Sequence, residues 1–348
     1  MSIKDSILSH SNQFNHYKEE AGKLKKENKN LKKENKRIKE EITDLNTYET
    51  GISIIIPTYN GENHIKTLLE SLEKQTLAPE FYELIFIFNG ELDSTIDILN
   101  EFIKNNPEMN MTSTFTPESG ASNARNIGIE LARKEYITFV DDDDFISPNY
   151  LEKLFEHSKP NRITMTNFLN YDIDTGKAES TIPSSEKEYG IIKNAPVKFM
   201  SQAAVTVAKT IPTCAAKRVK FNTDLNSGED VSFYANLYAK FDFEFYFINK
   251  EEEANYYRIQ RNVSVSKQEM TYQFNVLDRL KVMDDLDKNY RIAENKKTRK
   301  YIEMCFQGQA GFMQRYLQKH PEDEDKVLKE VEKHDFEYFP YFVLENDK

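Results

Sequence analysis

Between residues 14 and 46 the chain repeats every seven positions. Phe14, Ala21, Asn28, Asn35 and Ile42 share one place in the repeat, and Tyr17, Leu24, Leu31, Ile38 and Leu45 share the other. A seven-residue period keeps one seam facing a partner helix, so this arm is predicted to form a coiled coil. Glu20, Glu27, Glu34 and Glu41 flank the seam on one side, and Lys18, Lys25, Lys32 and Lys39 on the other. A parallel pair sets each Glu against a Lys, whereas an antiparallel pair sets like against like, so the charges select the parallel form. Asn28 and Asn35 in the seam favour two strands in register. A trimer stays open, because Phe14 and Ala21 specify the seam poorly.

Beyond residue 51 the pattern changes to short apolar runs alternating with amphipathic stretches. Ser53–Ile56, Leu84–Phe88 and Tyr136–Val140 read as buried strands. Leu68–Gln75, Ser94–Lys104 and Ala121–Arg133 read as helices, the second with Ile96, Leu99 and Ile103 on one face. Strands alternating with helices predict an α/β fold with a mostly parallel sheet and right-handed crossovers. Residues 268–348 look helical, with Leu277, Leu280, Met283 and Leu286 spaced for one face. The expected organisation is an oligomerisation arm over 1–50, an α/β domain over 51–267 and a helical region over 268–348.

A net charge of −11 over 348 residues argues against a protein that grips nucleic acid through its phosphates. The two cysteines, Cys214 and Cys305, give neither a disulfide framework nor a zinc spacing. Met1–His10 lacks the apolar core of a signal peptide, and the apolar runs are too short to span a bilayer. A cytoplasmic protein is expected, with peripheral contact at the inner face of the membrane left open.

The chemistry concentrates where the strand Tyr136–Val140 runs into Asp141, Asp142, Asp143 and Asp144. A solvated acidic loop is the bland alternative. In open α/β sheets, however, ligands gather at the carboxyl ends of strands. Carboxylates fixed there suit Mg2+ or Mn2+, held by one or two acids together with the phosphate oxygens of a substrate.

Ser53-Ile54-Ile55-Ile56-Pro57-Thr58-Tyr59-Asn60 with Glu62, the segment Ala124-Arg125-Asn126-Ile127-Gly128, the Asp-x-Asp-Asp block and Ser227-Gly228-Glu229-Asp230 follow one another in the order seen in glycosyltransferase family 2. The chain resembles that family, and its bacterial cell-surface polysaccharide or teichoic-acid type transferases, most closely over about residues 51–160. The resemblance implies the GT-A fold, a Rossmann-like sheet flanked by helices. It also implies a UDP-sugar donor, with Pro57, Thr58, Tyr59 and Glu62 around base and ribose. Arg125 would contact the nucleotide or phosphate. Asp141 would touch ribose, Asp143 would hold the metal, and Asp142 fills the variable middle place. Asp144 would face the donor sugar or support the loop.

Two further features follow from the same resemblance. Asp230 matches the catalytic base of inverting members, although two acids also suit the start of a helix over Val231–Tyr238. The segment Tyr256–Ser266 matches a strand and loop from which Arg258, Arg261 and Ser264 would close over the diphosphate. At the second strand the chain departs from the family, since Phe88-Asn89-Gly90-Glu91-Leu92-Asp93 replaces Asp-Asp-Gly-Ser-Thr-Asp. Asn89 can still pair with a uracil edge, because an amide both donates and accepts. The Gln-x-x-Arg-Trp pattern of the membrane-embedded processive synthases is missing, and the chain has no Trp at all.

The resulting expectation is a metal-dependent, inverting hexosyl- or N-acetylhexosaminyltransferase acting on a glycan, polymer or lipid-linked acceptor. Two alternatives remain, a sugar-nucleotide nucleotidyltransferase and a catalytically inactive coiled-coil scaffold with a transferase-like domain.

Overall fold

The computed structural model describes residues 47–181, 188–260 and 270–340. The heptad arm over 14–46, Arg261 and Ser264 lie outside the described residues. In chain order the elements that position the site are β1 (Glu49–Thr58), α1 (Ile65–Glu73), β2 (Tyr82–Asn89), α2 (Thr95–Asn105), β3 (Met111–Thr116), α3 (Ala121–Leu131), β4 (Lys134–Phe139) and β5 (Phe145–Ile146). They continue with α4 (Tyr150–His157), β6 (Arg162–Met165), β7 (Asn167–Asp172), β8 (Lys177–Ser180), β9 (Gly190–Ile191), β10 (Lys209–Pro212), α5 (Glu229–Lys240), β11 (Glu244–Phe247) and β12 (Asn255–Ile259). Two long helices close the set, α6 (Asp278–Ile292) and α7 (Lys296–Lys319).

The larger sheet has the order β3-β2-β1-β4-β10-β6-β11-β9. Its first four strands are parallel to one another, as the alternating pattern predicts. The sheet as a whole is mixed, six of its eight strands running one way and two the other. β10 runs antiparallel to both β4 and β6, and β9 antiparallel to β11. Between β4 and β10 the chain passes through β6 and β9 of this sheet and through β5, β7 and β8 of the second, whose order is β5-β12-β7-β8.

β1 and β2 are buried on both faces, Ile52, Ile54, Ile55 and Ile56 packing with Leu84, Phe86 and Ile87. Each such side chain contributes about 1.5–3 kcal/mol relative to exposure. α3 lies close over these strands because residue 128 is glycine: a Cβ there would stand 2.3 Å from Ile55 Cγ2 and 3.0 Å from Ile87 Cδ1. That close approach brings Arg125, nearly a turn earlier on α3, to the carboxyl edge of the sheet. The C-terminal helices join the same core, with Leu280, Met283 and Leu286 of α6 and Phe306, Ala310 and Met313 of α7 all buried in it.

Candidate functional site

At the carboxyl ends of β1, β2 and β4 lies a cavity of about 530 Å³, lined by Pro57, Tyr59, His64, Asn89, Ser119–Ala121, Arg125 and Asp141–Asp143. The walls are loops because parallel strands deliver their ends to one side of the sheet. Tyr59 is 53% exposed at the rim, an open aromatic face instead of a core ring. A second cavity of about 420 Å³ shares Ser119, Gly120 and Ala121 with the first and is bounded on its far side by Thr223, Leu225, Asn226 and Glu229.

The four consecutive aspartates point to different tasks. Asp141 accepts from Arg125 Nη2 at 3.2 Å. Asp142 is buried, accepting from the Tyr59 backbone N–H at 3.1 Å while its other oxygen stands 3.3 Å from His64 Nε2. Asp143 lines the cavity. Asp144 is buried and accepts from the Tyr256 hydroxyl at 2.7 Å and the Ile259 backbone N–H at 3.0 Å, which ties the acidic loop to β12. Burial, aided by the charges of Asp141 and Asp143, pushes the Asp144 carboxyl up to about 8. The Tyr256 hydroxyl also accepts from the Asp141 backbone N–H at 3.1 Å, so one ring steadies both ends of the loop.

Arg125 is buried and joins two distant segments. Nη2 reaches Asp141 and Nη1 reaches Glu229 Oε1, each at 3.2 Å, with Phe221 beneath the guanidinium at 5.5 Å. Burial opposes its charge, but Asp141, Glu229 and Asp230 more than offset this and hold the group ionised. Its Nε–H has no acceptor among the described residues.

Gly228 opens α5 with a φ of +82°, a left-handed turn that places Glu229 and Asp230 in the first helical turn. Burial, followed by the neighbouring Glu229 charge, raises the Asp230 carboxyl to about 6, against the pull of the Val231 N–H, Arg125 and Lys209. Lys209 on β10 is itself buried, donating Nζ to the carbonyls of Gln202 and Ala203 and lying 4.1 Å over the Tyr234 ring. Desolvation pulls its ammonium well below the usual lysine range, with Asp230 opposing.

The remaining residues singled out from sequence fall into two groups. Pro57, Tyr59, Asn89, Arg125, Asp141, Asp142 and Asp143 come together around one cavity. Asn89 already spends much of its amide inside the protein, donating to the Thr58 carbonyl at 3.0 Å and accepting from the Gly120 N–H at 3.0 Å. It thus clamps the β1 loop to the start of α3. Thr58 is buried with its hydroxyl on the Ile56 carbonyl, and Glu62 accepts from Ser94 Oγ at 2.5 Å beside the start of α2. Asp93, just before α2, accepts from the Thr95 N–H at 3.2 Å. Arg258 lies on the second sheet, exposed, donating to Asn170 and stacked 5.0 Å over Phe168. His64 and Tyr256 are the participants that sequence reasoning did not single out. No local signal marks them, since their partners lie 78 and 112 or more residues away.

Among the described residues, the group of metal-capable side chains that converges within 4.8 Å is Glu156, His157 and Glu252, and none of these lines the cavity. Lys153 approaches Glu252 at 3.9 Å, and His157 stacks on Tyr246 at 4.6 Å, so that group is an ion-pair cluster already provided with a cation. Asp141–Asp143 form no closed cage of three acids. That suits Mg2+ or Mn2+, which dehydrate reluctantly and take one or two carboxylates plus substrate phosphates.

Residues 53–218 match the family model described as "Glycosyl transferase family 2". Among curated proteins, the chain is 29% identical over 209 residues to the poly(ribitol-phosphate) beta-glucosyltransferase of Bacillus spizizenii, covering 58% of this chain and 32% of that one. It is 32% identical over 100 residues to the poly(ribitol-phosphate) beta-N-acetylglucosaminyltransferase TarS of Staphylococcus aureus, covering 29% of this chain and 17% of that one. The chain thus spans well under half the length of these two relatives. The crystal structure of S. aureus TarS 1–349 in complex with UDP-GlcNAc shares the fold, with a TM-score of 0.58 at 21% identity over 77% of this chain and 73% of that one.

Asn89→Ala should remove both bonds of the clamp and leave the Thr58 carbonyl and the Gly120 N–H unsatisfied. The expected cost is about 1–3 kcal/mol of stability, read as a lower urea midpoint at unchanged slope; an unchanged midpoint refutes the clamp.

Proposed function

We propose that this chain, whose residues 53–218 belong to glycosyl transferase family 2, transfers a hexose or N-acetylhexosamine from a UDP-sugar to a hydroxyl of a cell-surface polymer, with inversion. The observation that carries the reading is the ion-paired bridge Asp141–Arg125–Glu229, which holds the acid-lined cavity next to the Asp230 turn. On this reading the donor site and the base stand on either side of one guanidinium.

The nucleotide is assigned to the 530 Å³ cavity, with its base against the exposed face of Tyr59 and its phosphates towards Asp143 and Arg125. A divalent ion held by Asp143 would offset the charge that grows on the departing diphosphate. Asp230 removes the proton from the acceptor hydroxyl as that oxygen attacks the anomeric carbon, and UDP leaves from the opposite face. A carboxyl raised to about 6 is matched to proton acceptance near neutral pH while remaining mostly ionised there. The relatives make poly(ribitol phosphate) the first acceptor to test, and UDP-glucose and UDP-GlcNAc the first donors.

Among the described residues no helix is long and apolar enough to cross a membrane. We assign the heptad arm over residues 14–46 to parallel pairing of two copies, on its complementary Glu and Lys positions. Light scattering should then give a dimer for the full chain and a monomer for a chain beginning near Tyr48; equal masses per particle, scaled for length, argue against the arm.

The donor and metal assignment is read by calorimetry. UDP should bind more tightly with Mn2+ present than without, and Asp143→Ala should abolish that difference. A metal-dependent increment that survives Asp143→Ala removes Asp143 as the ligand.

Asp230→Asn preserves shape and donor binding, so transfer should fall by about 10²- to 10⁴-fold, the usual worth of a positioned acid or base. In the wild-type chain the rate should be full above the base's pKa and fall away as pH drops through about 6, because the protonated acid cannot accept a proton. If Asp230 only starts α5, Asn caps nearly as well, and near wild-type turnover results.

A further inference from the structure

The C-terminal helices reach the Glu229–Asp230 turn from behind. Along one face of α6, Arg279, Val282 and Asp285 meet successive parts of residues 227–232. Arg279 is 1% exposed. Its Nη2 donates to the Ser227 carbonyl at 3.5 Å, Nη1 to Gln309 Oε1 at 3.3 Å and Nε to the Phe274 carbonyl at 3.2 Å. The guanidinium packs against the rings of both Phe274 and Phe312, 4.5 and 4.9 Å from their centroids. Val282 Cγ2 would stand 3.0 Å from a Cβ at Gly228, so the helix is seated directly on the turn. Asp285 accepts from Asn222 Nδ2 at 2.6 Å and from Ser232 Oγ at 3.1 Å, joining the loop before the turn to the helix after it.

A fully buried guanidinium is costly unless it is compensated. The direct partners of Arg279 are three uncharged oxygens. Burial lowers the basicity of its guanidinium, and the negative charges that oppose this are Asp278, Glu229 and Asp230. Stability alone would favour an apolar side chain against two phenylalanines. A positive charge kept there acts on the acids beside it.

We propose that Arg279 is a positioning residue for Asp230: it holds the Ser227 carbonyl, and hence the Gly228 turn, and places a fixed positive charge behind the Glu229–Asp230 pair. The proposal rests on Asp230 being the base, so the experiment is a cycle that tests the two separately. Arg279→Met and Arg279→Lys are each made in the wild-type and Asp230→Asn chains. Full-length proteins are assayed for metal-dependent turnover of UDP-GlcNAc or UDP-glucose, whichever is used, with poly(ribitol phosphate) as acceptor.

Arg279→Met should lower kcat by about 10- to 10²-fold, the worth of a misplaced reacting group. KM for the donor should stay within about twofold, since uniform binding is untouched. The acid limb of the pH profile should also move upwards, because one of the charges favouring ionised Asp230 is gone. The other titratable groups that face it, Arg125 and Lys209 favouring the ionised form, Glu229 opposing it, and Tyr234, Tyr301 and Cys305, remain. In the Asp230→Asn chain the same substitution should cost little more.

Should Arg279→Met not fold, Arg279→Lys keeps the charge and loses the fork: kcat falls in the wild-type chain, the limb stays, and the loss again vanishes with Asp230→Asn. An equal loss in both backgrounds, or a donor KM that rises as kcat falls, overturns the role of Arg279 while leaving Asp230 the base. A fast Asp230→Asn chain overturns both at once.

Discussion

The Arg125 guanidinium is the fixed point on which the site's arrangement depends. Asp141 follows β4 and Glu229 opens α5, so these two acids sit on segments 88 residues apart in sequence that share no strand pairing. Without a cation between them, the acidic loop and the Glu229–Asp230 turn would repel. With a buried cation between them, each acid is oriented by the other's partner. A lysine could not do this equally well, because the planar fork of arginine reaches two acceptors with a single rigid group. The position of that fork is in turn set by the packing of α3 on β1 and β2, where a missing Cβ at Gly128 decides how deep the helix lies.

The rest of the acidic loop is held by using charges internally. Asp142 is committed to the Tyr59 backbone and His64, and Asp144 to Tyr256 and the Ile259 backbone. These commitments hold the loop against the repulsion of four adjacent carboxyls. Asp143 is thereby presented at the cavity by its neighbours, and Asn89 performs the matching task on the other wall by joining Thr58 to Gly120.

β1, β2 and β4 were legible in the sequence because strands buried on both faces must be continuous apolar runs. β3 was not, since Met111–Thr116 is an edge strand of threonine and serine whose sides alternate between half-buried and exposed. β10 breaks the rules more severely. It places Lys209 and Pro212 in the middle of a sheet, and the lysine is tolerated there only because two carbonyls and the Tyr234 face receive its ammonium. The acids of the site could be found because they end a strand. Their division of labour could not, because in a tight turn successive side chains point in different directions, and the partners that select each direction lie far away in sequence. Asn89 illustrates the limit: its position marks the site, while its amide serves the fold.

The raised carboxyl of Asp230 shows how the same packing that builds the fold adjusts the chemistry. Its surroundings contain Arg125, Lys209 and, further off, Arg279, yet desolvation and Glu229 together still win. Arg125 is shared with Asp141 and Glu229, Lys209 is committed to the Gln202 and Ala203 carbonyls and the Tyr234 face, and Arg279 acts through the turn and not by contact. Each cation is close enough to limit the shift and too committed elsewhere to cancel it. The outcome is an acid poised near neutrality, maintained by α3, β10 and α6 together, so the C-terminal helices belong to the site's electrostatics as much as to its core.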